Sequence, residues 1–154
     1  FSLLKPRLHR WKFNLKTGAT TEEDICNETI EFGVINQHIA GLEHRYTYSM
    51  VPTKGHFTFD GITKHDHQKK SLTKYIFPEH IFISEVSFAP KTNGIDEDDG
   101  YLVTISNDVR EKSSSCLLFD AKNIEQGPVC DIPLPHQICS GTHATWAQKS
   151  DLKS

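Results

Sequence analysis

The stretch TKHDHQKK at residues 63–70 ends a strand-like segment in an aspartate and follows it directly with a polar turn. The same arrangement occurs in WKFNLKTG at residues 11–18 and in LLFDAKN at residues 117–123. The asparagine or aspartate that ends each strand segment is 52 and then 54 residues from the next one. A period near 50 residues built of short strands is typical of a β-propeller, in which each blade has about four strands.

A second interpretation of this repeat remains open from the residues alone. A strand that ends in Asp or Asn before a polar turn is a common way to end a hairpin, so the similarity can arise by chance. If the repeat is real, three periods cannot close a ring, because a propeller needs about four to eight blades. The sequence then predicts an all-β arc of a larger propeller that is not closed on its own.

The remaining segments also favour an all-β fold, because no segment keeps a 3.6-residue apolar period over three turns. Short runs rich in β-branched and aromatic residues recur between turn signals instead. Strands are predicted at residues 8–15, 21–26, 45–51, 56–60, 62–66, 72–77, 83–89, 101–107, 115–120, 129–133 and 143–147.

Length and composition exclude several classes of protein. The 154 residues match one ordinary domain, with 36% hydrophobic and 24% charged residues. The net charge is -3 and no dense Lys/Arg stripe is present, which argues against a nucleic-acid partner. No apolar run approaches the roughly 20 residues of a membrane span, so neither a transmembrane helix nor a signal peptide is expected within the chain.

The cysteines and the start of the chain predict its setting. The four cysteines form no CxxC pair and are too few for a disulfide scaffold, which favours free thiols in a reducing, cytoplasmic compartment. The chain starts at Phe1, and its only methionine is Met50. We therefore expect a piece of a longer protein.

Potential metal ligands are densest in CDIPLPHQICSGTHATW at residues 130–146, for which there are two hypotheses. Cys130, His136, Cys139 and His143 have the number and type of ligands for a local zinc site, although their spacing is not that of a standard zinc knuckle. Alternatively, His143 alone points into a larger site whose other ligands come from distant segments, and Gly141 lets the backbone approach closely.

Three further groups have a plain and a functional interpretation. His65 and His67 share one face of a strand and could hold a metal, but the surrounding Lys, Asp and Gln residues favour a solvated hairpin. The run at residues 96–99 is acidic like a calcium loop, but it lacks the EF-hand glutamate, so an acidic turn is the better account. Glu31 lies between Ile30 and Phe32, where a carboxylate needs either a partner or an exposed edge.

The segment EFGVIN at residues 31–36, followed by HRYTY at residues 44–48, resembles the EFPxIN and HRYxY motifs of the carotenoid cleavage oxygenases. This family includes lignostilbene and apocarotenoid dioxygenases. Five later segments resemble its motifs in the same order: FDGITK at 59–64, SEVSFAP at 84–90, EDDGYLVT at 97–104, LLFDA at 117–121 and LPHQICSGTHATW at 134–146. Gly33 and Val86 stand where the family usually has proline, and both changes loosen turns rather than remove ligands.

The resemblance implies that residues 1–154 are the carboxy-terminal part of a seven-bladed propeller domain, corresponding to its last two to three blades. Such enzymes hold a non-haem Fe(II) on the propeller axis with four histidines, and glutamates lie behind the histidines. By motif position, His143 is one iron ligand and Glu31 is one of these glutamates. A ligating histidine usually donates its other ring N–H to a carboxylate, so we predict a hydrogen bond between Glu31 and His143.

The predicted function is therefore oxidative cleavage of a C=C bond of a carotenoid, apocarotenoid or stilbene-like molecule with O2. The other three histidines would come from earlier blades, so the chain alone is expected to be inactive. The expected partners are an apolar polyene or stilbene-like molecule and O2, and peripheral membrane contact is expected only through other parts of the protein. The alternatives are a non-catalytic propeller segment that acts as a binding scaffold and the local zinc module.

Overall fold

The computed structural model describes residues 4–149 and Leu152, and this part of the chain forms eleven β-strands, two 3₁₀ turns and no α-helix. The strands are β1 (His9–Phe13), β2 (Thr20–Asp24), β3 (Glu31–Val34), β4 (Tyr46–Pro52), β5 (Phe59–Asp66), β6 (Ser71–Ile76), β7 (Ile81–Ile83), β8 (Ser87–Pro90), β9 (Gly100–Asp108), β10 (Ser113–Asp120) and β11 (Pro128–Pro133). The 3₁₀ turns are Gln37–Ile39 and Ile124–Gln126. No helix in the described part has the length and apolar character that crossing a bilayer requires.

Two four-stranded antiparallel units make up most of the fold. Strands β3, β4, β5 and β6 pair in chain order, and so do β8, β9, β10 and β11. The short strand β7 joins the two units, because it pairs with β5 through Ile83 and with β9 along its whole length. Strands β1 and β2 form a separate hairpin. We refer to β3–β6 as the first blade and to β8–β11 as the second blade; together they confirm an all-β arrangement that does not close on itself.

The repeat has a physical basis in the turns that follow its strands. The side chains of Asn14, Asp66 and Asp120 each accept a hydrogen bond from the backbone N–H two residues further on. Each of these residues is followed by one more strand, β2, β6 or β11, before the next unit or segment begins. Asp108 forms the same kind of turn between β9 and β10, at a position that is not part of the repeat of about 50 residues. The turn is thus a common strand ending, but its position in phase with the blades confirms the period.

Four strand predictions need correction. The predicted strands at residues 56–60 and 62–66 form one strand, β5, which begins at Phe59 and continues through Gly61. Gly61 is a point of close packing in this strand, since a Cβ there would lie 2.9 Å from the Tyr75 backbone oxygen. The predicted strand at 83–89 is divided into β7 and β8. Residues 143–147 form no strand, and β3 was not predicted.

The hydrophobic core lies between the two blades and is built from alternate residues of their strands. Tyr48 and Met50 of β4 and Ile62 of β5 pack with Leu102 of β9 and Phe119 of β10, and all five are essentially inaccessible to solvent. The Tyr48 hydroxyl donates to the backbone oxygen of Ala121 at 3.1 Å, and burial raises the pKa of Tyr48 well above its usual value. Val86, which stands in place of the family's proline, is a fully buried member of this core.

The acidic loop of the second blade, residues 96–99, fastens that blade to the first. Where β4 begins, the Arg45 backbone N–H donates to both carboxylate oxygens of Glu97 at 2.9 Å, and the Tyr46 N–H donates to Glu97 Oε1 at 2.7 Å. Asp99 accepts from the Lys122 ammonium at 2.8 Å, and this pairing holds the pKa of the Asp99 carboxyl well below its usual value. These carboxylates have protein partners, as the acidic-turn interpretation predicted.

Lys64 and Asp98 form the buried part of this junction. The Lys64 ammonium donates to Asp98 at 2.7 Å, and the two side chains are only 10% and 11% exposed. The same ammonium donates to the backbone oxygen of Lys122 and lies 4.2 Å from the centre of the Tyr46 ring. A buried charge with several partners stabilises one arrangement of the two blades, because any other arrangement leaves it unpaired.

We expect Lys64→Met to lower the free energy of unfolding by about 3–5 kcal/mol, because Asp98 is then left buried without its cation. Lys64→Met/Asp98→Leu should lose less than the sum of the two single variants, since no unpaired charge remains. Urea unfolding of the chain measures both.

The matched control is Lys74→Met, which removes an exposed pair with Glu28 of the same 2.7 Å length. Its cost should be at most about 1 kcal/mol. Equal losses for Lys64→Met and Lys74→Met would contradict the role of the Lys64–Asp98 pair.

Candidate metal centre

The segment after β11, which carries His143, is irregular, but its backbone N–H groups donate hydrogen bonds to the second blade and to the β7–β8 connection. The Ile138 N–H donates to the Ser114 hydroxyl at 3.0 Å, and the Gly141 N–H donates to the Ser84 hydroxyl at 3.0 Å. Ser84 lies directly after β7, so the segment runs back across the sheet to the connection between β7 and β8. This path brings His143 beside a residue of that connection, Glu85.

Glu85 holds the His143 imidazole from behind. Its Oε2 atom accepts the Ala144 backbone N–H at 2.7 Å and lies 3.3 Å from His143 Nδ1. A carboxylate only accepts hydrogen bonds, so Nδ1 carries the proton of the neutral ring and Nε2 has a free lone pair. The Glu85 side chain is 11% exposed and that of His143 is 74% exposed. Nε2 makes no hydrogen bond with any described residue, and an oriented imidazole with this free nitrogen has the chemistry of a metal ligand.

Phe32 of the first blade packs edge-on against the same imidazole. Their ring centres lie 5.5 Å apart and their planes are nearly perpendicular, at 88°. Phe32 has a φ of 50°, in the left-handed region that a bulky side chain rarely adopts, and the β3–β4 register shifts at this point. Such a conformation costs on the order of 1–3 kcal/mol, and residues that carry it cluster at functional sites.

The Phe32 ring also connects the imidazole to a cavity. It makes edge contacts with Phe59, at 5.6 Å, and Phe57, at 6.4 Å between ring centres. Phe57 and Phe59 line a cavity of about 670 Å³, which Glu31 lines as well. The histidine, its carboxylate and an aromatic surface therefore lie in one continuous region made by both blades.

The predicted hydrogen bond between Glu31 and His143 is wrong, because Glu85 occupies that place. The Glu31 side chain forms no hydrogen bond with the residues that the structure describes, and its strand position is opposite Met50. Glu85 was visible in the sequence as part of the SEVSFAP segment, but no residue type or spacing there distinguished it from Glu31. His143 as a ligand and Glu31 as a carboxylate near the metal stay predictions.

The local zinc module finds no support. Among residues 4–149 and Leu152, no three His, Cys, Asp or Glu side chains lie close enough together to hold a metal ion. Cys130 and Cys139 are exposed free thiols. The described part of the chain thus offers His143 as a single ligand, so a metal held there needs ligands from elsewhere.

The interpretation of His65 and His67 as a solvated hairpin is wrong for His65, which is only 3% exposed. The two rings lie 4.6 Å apart, and His67 Nδ1 lies 3.2 Å from the Arg10 guanidinium. A guanidinium only donates, so His67 Nδ1 accepts and its proton lies on Nε2, 2.8 Å from the Thr47 hydroxyl. Burial, assisted by the charges of His65, His44 and Arg10, lowers the pKa of His67 to about 4.

Comparisons with known proteins agree with the motifs. Residues 2–148 match the model of the family described as retinal pigment epithelial membrane protein. Carotenoid 9,10(9',10')-cleavage dioxygenase 1 of Phaseolus vulgaris is 30% identical over 160 aligned residues, which cover 95% of this chain and 30% of that protein. Apocarotenoid-15,15'-oxygenase of Synechocystis is 28% identical over 142 residues, covering 90% of this chain and 29% of that protein.

A solved structure of cobalt-substituted Synechocystis apocarotenoid oxygenase superposes with a TM-score of 0.86 at 27% identity, over 97% of this chain and 32% of that one. This confirms the all-β, partial-propeller fold and the resemblance that the motifs predicted. The chain spans about 30% of the length of the curated relatives it matches.

Replacing Glu85 with Ala should remove the preference of the neutral His143 ring for a single tautomer. In the unchanged chain we expect the neutral ring to carry its proton on Nδ1, and in Glu85→Ala both tautomers should be populated. Long-range proton–nitrogen NMR spectra of the histidine side chains report this directly. Glu31→Ala is the matched control and should leave the His143 signals unchanged; the opposite pattern would restore the Glu31 pairing.

His67 should make the fold less stable in acid. Its pKa is about 4 when folded and 6.5 in the unfolded reference, so between these values the unfolded chain binds more protons. Its contribution to stability is complete above pH 6.5 and is lost as the pH falls toward 4. Urea unfolding across this range should show a shallower pH slope for His67→Gln, whereas the exposed control His136→Gln should keep the original slope.

Proposed function

This chain belongs to the retinal pigment epithelial membrane protein family, and its curated relatives include carotenoid cleavage oxygenases. On that basis we propose that it is the carboxy-terminal part of a non-haem Fe(II) dioxygenase. The reaction is the cleavage of a C=C bond of a carotenoid, apocarotenoid or stilbene-like molecule: O2 supplies one oxygen atom to each of two carbonyl products. The substrate, the iron and the identity of the chain as part of a longer enzyme all belong to the proposal.

The observation that carries the proposal is the oriented imidazole of His143. Glu85 accepts a hydrogen bond from the Nδ1–H group, and Nε2 keeps a free lone pair on a side chain that is 74% exposed. Imidazole nitrogen is a ligand that suits Fe(II), and a carboxylate behind it raises its basicity. The 74% exposure of the His143 side chain agrees with a ligand that shares its metal with histidines of other blades. A metal site in the family is also in keeping with the cobalt-substituted relative.

Each residue of the proposed site would have its own role. His143 would bind the iron through Nε2, and Glu85 would hold the proton on Nδ1 so that the ring keeps one orientation. Phe32 would fix the ring from its edge and, with Phe59, present an apolar aromatic surface to a polyene and keep water away from it. Glu31, in the cavity wall next to Phe32, would add negative charge near the metal. When bound, iron supplies the redox chemistry with O2, and the protein supplies geometry.

Iron content tests the proposal. In the longer protein from which the chain comes, His143→Ala should abolish stoichiometric iron, and Glu85→Gln should weaken iron affinity by about 10- to 100-fold. The 154-residue chain alone should bind no stoichiometric iron, because one histidine is too few ligands. Iron content is measured by elemental analysis after dialysis. Enzymatic activity is measured by following polyene cleavage through absorbance.

The control is His136→Ala, an exposed histidine of the same segment, which should keep full iron and cleavage. Full iron in His143→Ala would refute the ligand assignment. An iron-free longer protein that still binds polyenes would favour the scaffold alternative.

A further inference from the structure

The β1–β2 hairpin, residues 9–24, lies outside both blades and outside the hydrophobic core. It forms a sheet of its own, and no strand of either blade pairs with it. All five residues of β2 and the last three of β1 are exposed, and no residue of the hairpin belongs to the core cluster. The position of the hairpin therefore depends on individual side-chain contacts.

One such contact joins the hairpin to the first blade. The Arg10 guanidinium of β1 donates to His67 Nδ1, in the turn after β5, at 3.2 Å. Within residues 4–149 this is the only hydrogen bond or ion pair between residues 9–24 and either blade. Arg10 and His67 also line two separate cavities, of about 630 and 290 Å³, so open space adjoins their contact.

The base of the hairpin, in contrast, is anchored independently of Arg10. The Ile30 N–H donates to the Pro6 oxygen at 3.1 Å, and Ile30 is only 4% exposed. Glu28 pairs with Lys74 of β6 at 2.7 Å. Loss of the Arg10–His67 contact would therefore free the two strands but leave the hairpin tethered, with a hinge between the end of β2 and Glu28.

The Arg10–His67 contact requires a neutral His67 ring. Because a guanidinium only donates, Nδ1 must offer a lone pair, and the ring proton lies on Nε2, 2.8 Å from the Thr47 hydroxyl. Protonation places a second N–H on Nδ1, so that two donors and two positive charges then face each other. The bond from Nε2 to Thr47 is unchanged by this proton, so the ring keeps its place in the blade and Arg10 loses its acceptor.

The surroundings of His67 disfavour a proton on the ring. The charged and titratable groups that line the space around it are Arg10 and Lys12 of β1, Glu23 and Asp24 of β2, Glu43, His44 and Arg45 before β4, His65 and Asp66 of β5, Lys70 of the β5–β6 turn, and Glu97 of the acidic loop. Each carboxylate of this set except Glu43 already has a partner among the described residues. Burial and the charges of neighbouring side chains lower the pKa of His67 to about 4, so the contact persists until the solution is distinctly acidic.

From this geometry we infer that acid releases the hairpin: when His67 takes up a proton, the Arg10–His67 contact breaks and residues 9–24 detach from the first blade, while both blades stay folded. The inference goes beyond the proposed function, because it concerns neither the iron nor the substrate.

Backbone order parameters of the 154-residue chain, measured by nitrogen-15 NMR relaxation from neutral to acidic pH, test the inference. Those of residues 9–24 should fall from about 0.85, typical of rigid backbone, to below about 0.6. The fall should occur as the pH passes through about 4, and β4 and β5 should stay rigid. A hairpin that stays rigid after His67 is protonated, or β4 and β5 losing order together with it, would overturn the inference.

Variants of the two contact residues separate this release from general acid effects. His67→Gln keeps an acceptor for Arg10 and takes up no proton, so its hairpin should stay rigid in acid. Arg10→Met should free the hairpin already at neutral pH. The matched control is Lys12→Met, which removes a neighbouring cation of β1 that also approaches Glu23, at 4.0 Å, and should leave the hairpin rigid at neutral pH.

Two results in these variants would refute the inference. One is a His67→Gln hairpin that loses order at the same pH as the unchanged chain, and the other is an Arg10→Met hairpin that stays rigid. Because no iron or polyene enters these experiments, their outcome and that of the iron and cleavage tests are independent.

Discussion

The arrangement of the two blades is fixed by the ion pair of Lys64 with Asp98 and by the hydrogen bonds that Glu97 accepts from the backbone at the start of β4. The candidate metal centre depends on this junction, because its parts come from both blades. Phe32 is on β3 of the first blade, Glu85 follows β7, and His143 follows the last strand of the second blade. A change in the angle between the blades would separate the Phe32 edge from the His143 imidazole.

Much of the fold could be predicted because its signals are local. An aspartate that ends a strand accepts N–H groups of the next few residues, so the turns after Asp66 and Asp120 are determined within a few positions of sequence. Their spacing then shows the blade period. The break at Glu85 and the continuity of β5 at Gly61 could not be predicted in this way. Both depend on neighbours from other strands, such as Tyr75, whose backbone oxygen would lie 2.9 Å from a Cβ at position 61.

At the candidate site, too, some features follow from local sequence and others depend on contacts between distant segments. The motif order marked His143 and Glu31, but which glutamate contacts the imidazole, Glu31 or Glu85, depends on where the two blades meet. His143 is 58 residues from Glu85 and farther from Glu31, and neither separation along the chain determines a distance in space. His65 is a second case. Its sequence neighbours are polar, yet alternate residues of a strand face opposite ways, and the face of His65 is covered where Arg10 of β1 reaches the β5–β6 turn.

The position of the carboxylate has a consequence for the chemistry of the site. Glu85 is largely buried and accepts both the Ala144 N–H and the His143 Nδ1 proton, so it is held by backbone as well as by the ring. A partner fixed in this way leaves the imidazole one orientation, with the lone pair on Nε2 rather than on the nitrogen that faces Glu85. Glu31 has no such backbone anchor and lies in the cavity wall, where its charge acts on whatever enters. Two glutamates that look equivalent in sequence therefore have different surroundings: Glu85 orients the His143 imidazole, and Glu31 places a carboxylate in the wall of the cavity.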